Sequence, residues 1–72
     1  MERKSQDLGL VAGANLKRLL KETGRTQEDF ADEFYYDVRT IRRWIRNGID
    51  SISLIEKIAD FFGVSVFDIL SK

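Results

Sequence analysis

An all-α fold of five short helices is what this sequence predicts. Apolar residues recur at spacings of three and four, the period of a helix face, along most of the 72 residues. There is no proline, and the signal for strands is weak. Glycines at Thr23-Gly24, Asn47-Gly48 and Phe62-Gly63 stand where helices would stop.

The first helix is expected from Leu8 to Glu22, after a polar tail over residues 1–7. Leu8, Val11, Ala12, Leu16, Leu19 and Leu20 make its apolar stripe, and Lys17, Arg18 and Lys21 its wet side. The second runs over residues 27–34. Thr26 is its N-cap, and Thr26-Gln27-Glu28-Asp29 approximates a capping box with Asp29 in the glutamate position. Phe30, Ala31 and Phe34 face inward, Asp32 and Glu33 outward. Tyr35-Tyr36-Asp37 breaks the helix, and Asp37 caps the third, Val38 to about Arg46. Ser51 or Ser53 begins the fourth helix. Its buried face is Ile52, Ile55, Ile58, Ala59 and Phe62. Ser65 caps a last short helix that ends at Leu70.

The third helix carries the strongest chemical signal. Arg39, Arg42, Arg43 and Arg46 have the spacing i, i+3, i+4, i+7 and share an arc of roughly 100°. Val38, Ile41, Trp44 and Ile45 lie on the opposite side. No acid falls between Val38 and Ile49. A helix matches the width of the major groove, and arginine suits guanine edges and phosphates, so double-stranded DNA is the first partner to consider. The competing reading is a solvated face paired with carboxylates such as Asp32, Glu33 or Asp37.

Twelve basic and twelve acidic residues leave no net charge, which by itself argues against a nucleic-acid binder. The charges are segregated, however. Residues 26–37 carry five acids and no base, whereas residues 38–49 carry four arginines and no acid. Such a dipolar chain can still present one positive face. With no cysteine and no histidine, disulfides, thiolate metal sites and the commonest general base are excluded. No catalytic site, metal site or cofactor is expected. No apolar run approaches the ~20 residues of a membrane span, so a cytoplasmic protein is the default. Residues 8–72 are expected to form one domain, and the initial Met with five complete helices suggests a whole protein or a clean domain.

Residues 15–70 resemble the helix-turn-helix family of phage repressors and Cro proteins, the Xre type. The resemblance rests on four runs: Gly-x-Thr-Gln-Glu-x-Phe-Ala at Gly24 to Ala31, Thr-Ile-x-x-Trp at Thr40 to Trp44, Leu-Ile-x-x-Ile-Ala at Leu54 to Ala59, and Phe62 to Leu70. It implies a five-helix, lambda-repressor-like DNA-binding domain, in which the second helix crosses the DNA backbone and the third lies in the major groove. The family usually has glycine at Tyr35, a small residue at Tyr36 and glutamate at Ile45. A bulky residue at positive φ costs energy, so the turn at Tyr35 is expected to be built differently.

The resemblance assigns roles by position. Arg39, near the start of the third helix, is the best base reader, and Val38 beside it suits a thymine methyl. Arg42 and Arg43 reach bases or phosphates; Arg46, at the far end, meets phosphate. Gln27 at the start of the second helix contacts phosphate or only supports the cap. Tyr36 contacts phosphate or packs, and Tyr35 packs partly into the core. The apolar surplus at Phe61, Val66, Phe67, Ile69 and Leu70 suggests a homodimer contact or a cover for the core. The expected function is a sequence-specific regulator, a repressor on a palindromic operator, controlled by concentration or by a partner protein. The rival is a protein-interaction module of the antitoxin or anti-repressor kind, favoured by the zero net charge and the acidic second helix.

Overall fold

The computed structural model describes residues 3–71, with side chains from residue 8 onward. It contains five helices: α1 (Arg3–Glu22), α2 (Gln27–Phe34), α3 (Val38–Asn47), α4 (Ile52–Phe62) and α5 (Val66–Leu70). Helix α1 begins five residues before the expected Leu8. Residues 3–7 carry no apolar periodicity that would announce a helix. As polar helix formers in part, they extend one already nucleated downstream.

Local chemistry explains the boundaries. Thr26 and Ser65 each form a complete capping box, with Asp29 and Asp68 at the reciprocal position. Asp37 accepts the Arg39 backbone N–H at 2.8 Å, and Ser51 accepts that of Leu54 at 3.3 Å. Three helices end in the same paired motif. The Arg25 N–H donates to the Leu20 carbonyl, that of Tyr36 to Ala31, and that of Val64 to Ala59, each at 2.9 Å. Gly24 and Gly63 occupy the left-handed position in two of them. Tyr35 occupies it in the third, at φ 62° and ψ 42°. The expectation of a differently built turn is therefore overturned. Tyr35 accepts the left-handed conformation because the turn's two hydrogen bonds and the packing of the helices on either side outweigh its steric cost.

Helix α1 is the spine, packed mainly on α3 and α5. The core joins Ala12, Leu16, Leu19 and Leu20 of α1 to Phe30, Ala31, Ile41, Trp44, Ile49, Ile55, Ile58, Ala59 and Ile69. Helices α1 and α3 approach so closely that a Cβ on Gly13 would lie 2.3 Å from the Trp44 carbonyl oxygen. Beyond the end of α3, the Ile49 N–H donates to the Gly9 carbonyl at 3.0 Å. Asn15, buried, ties down the far end of the chain. Its amide nitrogen donates to the carbonyls of Ile69 and Ser71, both at 2.7 Å.

Several expected core residues lie outside it. Ile52 is 61% exposed and Leu8 is exposed, because each sits at the edge of its helix's buried arc. Tyr35 is 93% exposed and does not pack, since the left-handed turn points its side chain outward. Of the C-terminal apolar residues only Phe67, at 80%, is largely exposed. Ile69 is fully buried and unavailable to a second chain. Phe61 packs edge-on against Phe30, Phe34 and Phe62.

Candidate nucleic-acid interface

The third helix is anchored by its apolar side. Ile41 and Trp44 are buried, and Val38 and Ile45 pack against the core at their margin. Trp44 is gripped from above by aromatic rings, with Tyr36 at 5.0 Å and Phe34 at 6.3 Å between centroids, both edge-on. This clamp fixes the rotation of α3 about its axis. All four arginines are consequently exposed.

Their electrostatic states differ. Arg42 Nη2 lies 3.4 Å from Glu28 Oε2, an ion pair across the α2–α3 crossing. Among the described residues Arg39, Arg43 and Arg46 make no ion pair. The expected acidic partners are used elsewhere. Glu33 meets Arg25 at 3.5 Å, and the Asp37 carboxylate holds the helix cap. Asp32 makes no ion pair among the described residues. The guanidinium of Arg25 also stands over the Phe61 ring at 5.0 Å, which fastens the α1–α2 connection to α4.

The remaining candidates fall around this face with unequal access. Gln27 is the first residue of α2 and is half-buried. Val38, the first residue of α3, is half-buried against the core, so only part of its side chain is open to a partner. Tyr36 is 40% exposed, with its ring stacked on Phe34 at 5.4 Å, so its body belongs to the clamp and its rim to the surface. Arg43 borders a cleft of about 490 Å³ between α1 and the end of α3, lined also by Leu10, Asn47 and Asp50.

Glu28 is the neighbour that sequence reasoning missed. It lies 14 residues before Arg42, too far for any helical spacing rule, and only the crossing of α2 over α3 brings the two together. The one sequence hint was its acidity in the first turn of α2, which the helix dipole explains on its own.

A family model described as helix-turn-helix matches residues 16–69, which includes α2, α3, α4 and most of α5. Comparison with curated proteins and with solved structures found no match.

Proposed function

The chain belongs to the helix-turn-helix family of the Xre/Cro type, a family of DNA-binding regulators, and from that premise we propose that it is a transcriptional repressor acting as a homodimer on a palindromic operator. The observation that carries the reading is the exposed arginine face of a helix held rigidly by its opposite side. In this reading α3 enters the major groove. Arg39 reads a base edge, with Val38 against a thymine methyl beside it. Arg42 and Arg43 serve bases or phosphates, and Arg46 serves phosphate. Gln27 and the rim of Tyr36 contact the backbone at either end.

One domain of this size reads few base pairs, and a second copy supplies the missing affinity and a second half-site. Phe67 is the exposed apolar residue best placed for that contact. One turn further along α5, Leu70 borders an apolar groove of about 190 Å³ shared with Leu8, Ile52 and Ile55. A DNA-bound role places the protein in the cytoplasm; no described helix is long and apolar enough to cross a membrane.

A second reading is a protein-interaction module, and Tyr35 favours it. A tyrosine this exposed, in a conformation that glycine adopts without cost, gains nothing within the monomer.

In-vitro selection of genomic DNA fragments at near-physiological salt, followed by sequencing, tests both. An enriched two-fold symmetric motif is expected. Binding without an enriched motif would refute the operator. No binding, with a stoichiometric protein partner over the arginine face, would establish the second reading.

A further inference from the structure

We propose that Glu28 is a brake on sequence-independent DNA binding, acting by holding Arg42 in an internal ion pair. The proposal rests on the DNA-binding reading above. Two independent features of the structure support it.

The first is the pair itself. With Glu28 Oε2 at 3.4 Å from its Nη2, the Arg42 guanidinium is neutralised on the same surface where Arg39, Arg43 and Arg46 stand without a carboxylate among the described residues. Affinity for any duplex grows with each phosphate that a cation neutralises, because each releases a condensed counterion. Arg42 is excluded from that sum while the pair lasts. Releasing it would leave Glu28 unpaired beside the polyanion, so the exchange of carboxylate for phosphate gains little. An exposed pair is weak enough to be exchanged when the incoming partner is better placed than an average phosphate.

The second feature is the start of α2. A helix N-terminus ordinarily welcomes a phosphate. Here that field is already answered from within. Asp29 accepts the Thr26 N–H at 3.2 Å, and Glu28 stands in the same turn. A phosphate at Gln27 is therefore held by the side-chain amide with little help from the helix terminus. The α2 terminus thus adds little sequence-independent affinity, and the Glu28–Arg42 pair decides how much this surface has.

The test uses the full chain and a fluorescent 20-base-pair duplex pool of random sequence, titrated from 50 to 200 mM salt. Glu28→Gln keeps the shape of the side chain and removes its charge. The slope of log affinity against log salt should steepen by about 0.9, one added phosphate contact, with affinity at 50 mM rising on the order of tenfold. Arg42→Ala should abolish the gain in the Glu28→Gln background, whereas Asp32→Asn, which removes an equal charge from the same helix at a carboxylate with no ion pair among the described residues, should leave the native slope unchanged. An unchanged slope in Glu28→Gln, or an equal steepening in Asp32→Asn, would overturn the brake and leave the DNA reading standing. Weaker binding by Glu28→Gln would assign Glu28 the opposite role, presenting Arg42 to DNA. Failure of the native protein to bind any duplex would overturn the DNA reading itself.

Discussion

Replacing Gly13 with alanine should destabilise this protein, against the usual sign of that change inside a helix. In an open helix Gly→Ala gains about 1 kcal/mol from propensity alone. At Gly13 the new methyl would stand 2.3 Å from the Trp44 carbonyl oxygen and 3.3 Å from the Ile45 Cα. The obstacle is backbone, so no rotamer change relieves it, and α1 and α3 must move apart by roughly an ångström. Over-packing of a dense interior costs about 1–3 kcal/mol where side chains can yield, and a backbone obstacle belongs at or above the upper end. The net loss should be about 2 kcal/mol, or roughly 8–16 °C in Tm for a domain of this size. Thermal unfolding followed by circular dichroism, with urea denaturation to check that the m-value is unchanged, measures it. A Tm equal to or above that of the native protein would refute the close approach of α1 and α3, and with it the rotation of α3 that exposes the arginines.

Asn15→Ala should cost about 2–3 kcal/mol by chemical denaturation, because it strands the Ile69 and Ser71 carbonyls that now share its amide, and loss of α5 protection in hydrogen exchange should accompany it. Tyr35→Gly should raise stability by about 0.5–1 kcal/mol: the left-handed strain of about 1–2 kcal/mol disappears, the flexible unfolded chain takes back part of that gain, and a side chain 93% exposed leaves no packing behind. A lower Tm for Tyr35→Gly would show that the ring makes contacts that hold the fold. Arg39→Ala should weaken operator binding by about 1–3 kcal/mol and relax preference at one base position in a repeated selection; an unchanged motif would remove Arg39 from the reading set.

What the sequence determined by itself was local. Three internal helix starts were legible because Thr26, Asp37 and Ser65 act on backbone N–H groups two or three residues away; for the fourth helix the sequence left Ser51 and Ser53 open, and the structure caps it with Ser51. The arginine arc was legible for the same reason, since its period is that of a single helix. The early start of α1 was not, because its first turns have no face that packing would select.

Tertiary structure alone decided how far each candidate is available. Tyr36 is partly withdrawn from the surface because its ring belongs to the clamp on Trp44, and Val38 because it packs against the core. Arg42 is neutralised by a residue 14 positions away, and Ile69 is removed from any interface by burial under α1. Tyr35 shows the limit most clearly. Its own sterics argue against a left-handed turn, and the hydrogen bonds and packing of α2 and α3 impose one. Such energies belong to pairs of elements in contact, and a pattern read along one chain contains the elements but not the contacts between them.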